Sequence, residues 1–183
     1  NTGSTEKQVS SLLKAKNLAE AVKDSGLNML ANFNLGDVYF SKLKKLDSAL
    51  YFEQKAKDLF TNSGGDAGKY NGWVLNTIGK IYQEKGNFNL SRDAFVNGLE
   101  LMKEHNNVSG VAGICLSLSS FYNIINRPDS SLPYGNKALE VYKILRDTSG
   151  IANAYSSMSL AYGKQKKTDS AFAYLQLATA LHD

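Results

Sequence analysis

The strongest constraint on the fold is a sequence pattern that recurs about every 40 residues. A tyrosine column marks it, with successive members 43, 40 and 40 residues apart: Tyr39, Tyr82, Tyr122 and Tyr162. Two columns of small residues keep a spacing of 42, 40 and 40: Ala49, Ser91, Ser131 and Ala171, then Ala56, Gly98, Ala138 and Ala178. Three columns with one common spacing indicate four copies of a single structural unit.

Each copy has the pattern of two amphipathic helices, here called A and B. An apolar residue stands four places before each tyrosine, on the same helical face: Leu35, Ile78, Leu118 and Met158. A glycine or serine three places before each tyrosine leaves room for a closely crossing helix: Gly36, Gly79, Ser119 and Ser159. We predict A helices that start near residues 27, 68, 110 and 150, and a leading helix over residues 5–24, which makes nine helices.

The predicted helix ends also recur. Asp or Asn side chains stand where each B helix should begin and are expected to act as N-caps: Asp47, Asn89, Asp129 and Asp169. Glycines follow the B helices and are expected to take the left-handed conformation that ends a helix: Gly26, Gly64, Gly110 and Gly150.

Two-helix repeats near this length occur in both the HEAT and the tetratricopeptide repeat (TPR) families. Leu-Gly-x-x-Tyr, then Ala nine to ten residues on and Ala seven later, resembles the TPR. The repeats are longer than the usual ~34 residues, which resembles bacterial signalling repeats, and the usual aromatic early in helix A is replaced by Asn32, Leu75, Cys115 and Tyr155. The resemblance implies an all-α, right-handed superhelical TPR solenoid of antiparallel hairpins. Residues 1–183 would form a single array, with a leading half-repeat over 5–24 and hairpins at 27–66, 67–107, 108–148 and 149–183.

The same resemblance implies that the A helices line a concave groove that binds a protein or an extended peptide. Helical phase places these residues on that side: Leu30, Phe33, Asp37, Trp73, Asn76, Lys80, Leu116, Ser120, Asn123, Asn153 and Ser156. Their amides and hydroxyls suit a peptide backbone, and Phe33 and Trp73 are either binding anchors or packing residues between repeats. The cations of the carboxylate clamp found in co-chaperone TPRs are absent, since Phe33, Asp37, Gly113 and Ser117 occupy those positions.

The sequence offers little for catalysis, so we predict no enzyme activity, no cofactor and no metal. Cys115 is the single cysteine, and His105 and His182 have no partners at zinc-binding spacing. The glycine-rich stretch from Ser63 to Gly68 lacks the Lys-Ser/Thr end of a phosphate loop and is predicted to be a turn.

The net charge of +4 and pI near 9.0 are mildly basic. Cations collect in the A-to-B turns: Lys42, Lys44, Lys45, Lys85, Arg127, Lys164, Lys166 and Lys167. They either keep the protein soluble or dock an acidic domain, lipid headgroups or nucleic acid. No aromatics are interleaved among them, which argues against single-stranded nucleic acid, and no apolar run is long enough to span a membrane.

These features favour the sensory or interaction region of a larger bacterial signalling protein, such as a sensor kinase or regulator. The alternative is a stand-alone adaptor scaffold that assembles a complex. The chain starts without methionine and ends within a B helix, where Phe172, Leu175 and Ala178 would be half covered. We therefore expect that the native protein continues, or that this helix forms a homodimer. The expected location is the cytoplasm, or the periplasm for the sensor region of a membrane kinase.

Overall fold

The computed structural model describes residues 2–63 and 68–181, which form nine α-helices and no strand. The predicted all-α class is confirmed. The A helices start at residues 25, 68, 108 and 148, within two residues of prediction. The helices are α1 Thr2–Ala21, α2 Ser25–Ser41, α3 Leu46–Ser63, α4 Gly68–Glu84, α5 Phe88–Glu104, α6 Val108–Ile124, α7 Pro128–Leu145, α8 Thr148–Lys164 and α9 Thr168–Thr179. None of these described helices is both long and apolar enough to cross a membrane.

The chain separates into two compact units, residues 1–101 and residues 102–183. In the first unit, α1 packs on α2, α2 on α3 and α3 on α4, and α2 also touches α4. In the second unit, α6 packs on α7, α7 on α8 and α8 on α9, and α6 also touches α8. Each unit thus contains the same sequential packing, with additional contact between its two A helices.

The tyrosines of the repeated column join helix A to helix B by ring stacking, a role that the sequence did not predict. In three of the four hairpins the helix-A tyrosine stacks on an aromatic ring of helix B. The ring centroids are 5.3 Å apart for Tyr39–Phe52, 5.6 Å for Tyr122–Tyr134 and 5.3 Å for Tyr162–Tyr174, with planes within 11° of parallel. Such pairs add about 0.5–1.5 kcal/mol each beyond the area they bury. In the remaining hairpin the helix-B position is Ala94, and Tyr82 packs against the aliphatic core around it.

The small-residue column permits helices A and B to cross closely. A Cβ added to Gly79 would lie 2.6 Å from the buried ring of Phe95, and one added to Gly36 would lie 2.7 Å from the side chain of Glu53. In the third hairpin the glycine is on helix B: Gly135 faces Ser119 of helix A and the large side chain of Met158 on α8. The missing Cβ on one helix therefore accommodates a large side chain on its neighbour.

The predicted N-caps of the B helices are wrong. Asp129 and Asp169 are the second residues of α7 and α9, whose N-caps are Arg127 and Lys167 and have no side-chain capping bond. An aspartate in the first turn still interacts favourably with the helix dipole. Side-chain caps instead open A helices: Asp24, Asn107 and Asp147 each accept a backbone N–H three residues on at 2.9 Å.

The predicted left-handed glycines are also wrong where they are described. Gly26, Gly110 and Gly150 lie inside the first turn of an A helix, and Gly64 lies outside the described residues. Every described turn instead has one residue with positive φ, only one of which is a glycine: Lys23, Lys44, Gly86, Asn106, Asn126, Arg146 and Lys166. From Gly86 onward these residues are 20 apart. Six of these turns, all except the one at Lys44, form a Schellman motif, as in Asn107 N–H to Met102 C=O at 2.8 Å, which satisfies carbonyls at the helix end.

We expect Gly79→Ala to lower the free energy of unfolding by about 1–3 kcal/mol, because its Cβ would overlap the fully buried Phe95 ring. Gly163→Ala is the matched control. Its Cβ would meet only Ala171, at 3.9 Å, so removing a helical glycine should stabilise the protein by up to about 1 kcal/mol. Thermal unfolding followed by circular dichroism measures both, and equal effects would contradict the close crossing.

Candidate functional site

The predicted binding surface forms a shallow depression in the second unit. Four of its predicted residues, from helices α6 and α8, line a cavity of about 310 Å³: Leu116, Ser120, Asn153 and Ser156. Ser157 and Leu160 complete the lining, and Leu160 is 53% exposed. The depression therefore offers amide and hydroxyl groups between two leucines, as a surface for a peptide backbone and an apolar side chain would.

Asn123 was expected to be exposed in this groove and is instead fully buried. Its Nδ2 donates to the backbone oxygen of Ser157 at 2.9 Å. Ser157 Oγ is 2.8 Å from Ser119 Oγ, which is in turn 3.0 Å from Ser131 Oγ. Small side chains bring α6, α7 and α8 so close that the Asn123 position becomes interior. Asn123 therefore joins α6 to α8 in the interior. A partner could contact it directly only if these two helices separated.

In the first unit the apolar groove residues differ in accessibility. Leu30 is 41% exposed, whereas Phe33 is half-buried and packs against the core that includes Met29, Val74 and Ile78. Trp73 is half-buried on α4. Phe33 therefore contributes to packing, while Leu30 and Trp73 keep surface that a partner could reach.

One polar groove residue of the first unit, Asp37, acts electrostatically on a buried carboxyl group. Glu53 on α3 is fully buried against Gly36, and neither carboxyl oxygen has a hydrogen-bond partner among the described residues. Burial raises the pKa of Glu53 well above its usual range, and the negative charge of Asp37 raises it further. Burial also lowers the pKa of Lys80, which Asp37 partly opposes. Asp37 therefore acts electrostatically on both Glu53 and Lys80, and the common binding surface of Asp37 and Lys80 stays a prediction.

Asn76 was expected to be exposed and is only 5% exposed. Its Oδ1 lacks a hydrogen-bond partner among the described residues. Glu53 was not predicted as part of any site. The repeat alignment could have identified it, because the corresponding residue of the next hairpin is the buried Phe95. An ionisable residue is rarely found at such a buried position.

The cations of the A-to-B turns are partly neutralised by their neighbours. In the first unit, Lys85 pairs with Asp47 at 2.5 Å and Lys44 with Glu84 at 3.9 Å. Two of these cations nevertheless lie beside aromatic rings. Lys44 lies over the Phe40 ring at 5.2 Å, and in the second unit Lys167 lies over the Tyr162 ring at 5.8 Å. The purpose of this basic edge, solubility or docking, stays a prediction.

Two of the candidate reactive residues, Cys115 and His105, lie within the described part of the chain. Cys115 is fully buried, and burial raises its thiol pKa to about 11, although Lys137 and Lys103 act in the opposite direction. His105 is exposed at the end of α5, while His182 and the centre of the glycine-rich stretch lie outside the described residues. Within residues 2–63 and 68–181, no group of three His, Cys, Asp or Glu side chains could hold a metal ion.

We expect Glu53→Gln to stabilise the protein near pH 8 by on the order of 1–3 kcal/mol and to have no such effect near pH 4. The raised pKa keeps the folded carboxyl protonated to a higher pH than the unfolded one, which ionises above about pH 4.3. Wild-type stability should therefore fall as pH rises from that value toward the folded pKa. Melting temperatures across this range test the expectation, with Glu100→Gln on the exposed side of α5 as control. Parallel pH profiles for wild type and Glu53→Gln would contradict it.

Comparison with solved structures identifies the fold. BtubC (BKLC) from P. vanneervenii has a TM-score of 0.85 at 17% identity, over 99% of this chain and 74% of that one. Aspartyl phosphate phosphatase F from Bacillus subtilis has a TM-score of 0.83 at 14% identity, over 93% of this chain and 44% of that one. The TPR-like repeats of a putative kinesin light chain from Podosopora anserina have a TM-score of 0.74 at 10% identity, over 99% and 88%. No family model matches the sequence, and no curated protein sequence does. The fold of this chain is an all-α, tetratricopeptide-type array of helical hairpins.

Proposed function

We propose that this chain is a binding module that holds a protein or an extended peptide along the A helices. The observation that carries the proposal is the depression of the second unit, where exposed Asn153 and Ser156 from α8 meet Leu116 and Ser120 from α6. Amide and hydroxyl groups can both donate to and accept from a peptide backbone, and the leucines can bury a side chain. Binding without chemistry fits the buried, protonated thiol of Cys115.

The test uses two asparagines that differ in position. Peptides selected from a random display library against the wild-type chain should bind Asn153→Ala at least about tenfold more weakly, as measured by isothermal titration calorimetry. Asn136→Ala is the control, because Asn136 is equally an exposed asparagine but lies on α7. Both variants should melt at the wild-type temperature. Equal binding to both, or no selectable peptide, would contradict a site in this depression.

We further propose that the module is the sensory or interaction region of a larger bacterial signalling protein, located in the cytoplasm or, for a membrane kinase, in the periplasm. The approximately 40-residue repeat supports this, and so does likeness in fold to an aspartyl phosphate phosphatase of which the chain spans 44%. Sequencing the coding region on both sides tests it: a kinase or regulator domain in the same reading frame is expected. Its absence would favour a stand-alone adaptor.

The exposed apolar residues of α9 support a homodimer through that helix. Phe172 is 60% exposed and Leu175 48% exposed, whereas Ala178, expected to be half covered, is buried. Sedimentation equilibrium should show a dimer for wild type and a monomer for Phe172→Ser. Ile144→Ser is the control, since Ile144 on α7 is 77% exposed and lies outside the α9 face. A wild-type monomer at all concentrations would refute this contact.

A further inference from the structure

A polar cleft lies on the first unit, on the side of α2 away from the groove residues. It has a volume of about 330 Å³, near the lower end of the range for ligand sites. At 100° per residue, Asn28 and Asn32 point roughly opposite to the groove residues Leu30, Phe33 and Asp37. Helices α1 and α3 form its two walls. Its lining includes Lys16 and Glu20 of α1, Asn28 and Asn32 of α2, and Tyr51, Lys55 and Asp58 of α3.

The corresponding place in the second unit is apolar and filled. The capping residues Asp24 and Asp147 align α2 with α8, so Lys16, Asn28 and Asn32 correspond to Leu139, Ile151 and Tyr155. Those three residues pack into one hydrophobic cluster, and Tyr155 lies 5.8 Å from the ring of Tyr174. The first unit thus has two amides and an ammonium where the same fold elsewhere has a tyrosine, an isoleucine and a leucine.

One polar atom of the cleft is buried without a partner. Asn32 is 2% exposed, and its Nδ2 donates to the backbone oxygen and to Oδ1 of Asn28, both at 2.8 Å. Its own Oδ1 has no hydrogen-bond partner among the described residues. A buried acceptor left in this state costs about 1–3 kcal/mol, and native proteins almost always satisfy such groups. The donors that remain for this atom are a water molecule and a ligand that enters the cleft.

The charges of the cleft select against an ionic ligand. Lys16 pairs with Glu20 at 2.8 Å, and the opposite wall has one cation and one anion, Lys55 and Asp58. The lining is therefore balanced in sign, which favours a neutral polar group. Lys55 Nζ lies 5.9 Å from the centroid of the Tyr51 ring, so that one face of this ring already has a cation–π partner.

The cleft also continues along the surface. A second depression at the turn between α1 and α2 is lined by Lys23, Asp24 and Ser25 and shares Glu20 and Asn28 with the first. The two depressions are therefore adjacent, and their combined lining of amide, hydroxyl and charged groups is here called the channel. A lining that extends over two adjacent depressions suits an extended chain better than a compact molecule.

We propose that this channel is a second peptide site, which binds about two or three residues of an extended segment through backbone amides. A peptide N–H donates to Asn32 Oδ1, and side-chain donors of the walls meet its carbonyl groups. The site is separate from the A-helix groove and does not depend on the function proposed for it.

The probe is N-acetyl-trialanine amide, which is neutral and has amide N–H groups throughout. Its addition should move the Asn32 side-chain amide signals in ¹⁵N–¹H NMR spectra, with saturation at a Kd on the order of 1 mM. The same peptide with every amide N-methylated should bind at least about tenfold more weakly, because it cannot donate. Free alanine should cause no saturable shift, since a single amino acid lacks the peptide bonds.

Asn32→Leu should reduce peptide binding at least about tenfold, and it introduces the residue found at this position in α4, Leu75. Asn34→Ala is the control on the same helix, because Asn34 is exposed and bonds only Leu30 C=O in its own helix. If Asn32→Leu does not fold, Asn28→Ile is the second test variant, because the corresponding residue of α8 is Ile151. Equal binding of the methylated peptide, unchanged binding by the variants, or no saturable shift up to about 20 mM would overturn the proposal. The last outcome would assign the Asn32 acceptor to water alone.

Discussion

The close crossing of helices A and B within each hairpin is the constraint on which the rest of the structure depends. Gly79 against Phe95 and Gly36 against Glu53 show that helix A has lost a Cβ where helix B has a large side chain. In three hairpins, close crossing also lets the helix-A tyrosine stack on an aromatic ring of helix B. It also brings neighbouring A helices together, so that Ser119, Ser157 and Asn123 form an interior hydrogen-bond network instead of a surface.

The first hairpin differs from the others because it contains polar groups at positions that are apolar elsewhere. Glu53 replaces the Phe95 type of residue, and Asn32 replaces the Tyr155 type. Both are buried with oxygen atoms that lack partners among the described residues. Such substitutions lower stability, and stability is commonly given up where a site needs polar groups at fixed positions. In the first unit these polar groups lie near the predicted groove residue Asp37 and in the cleft lined by Asn28 and Asn32 of α2.

The sequence predicted the helices well because periodicity is a property of the chain. Columns such as Tyr39, Tyr82, Tyr122 and Tyr162 placed the A helices within two residues. Burial of individual polar residues was not predictable in the same way. Asn76 and Asn123 have the right helical phase for a groove, but their exposure depends on how closely the next A helix approaches. Turn chemistry failed for another reason: Lys or Arg occupies four of the seven described left-handed positions, where glycine or asparagine is the usual residue.

The left-handed residues every 20 positions describe a unit smaller than the hairpin. From α4 to α9 the helices begin at residues 68, 88, 108, 128, 148 and 168, so that each helix with its turn spans 20 residues. Main-chain geometry therefore does not distinguish helix A from helix B. The alternation is encoded only by side chains, by tyrosine and small residues on one helix and their partners on the next. The A and B roles of successive helices are therefore exchangeable in evolution by substitution alone, without insertion or deletion in the backbone.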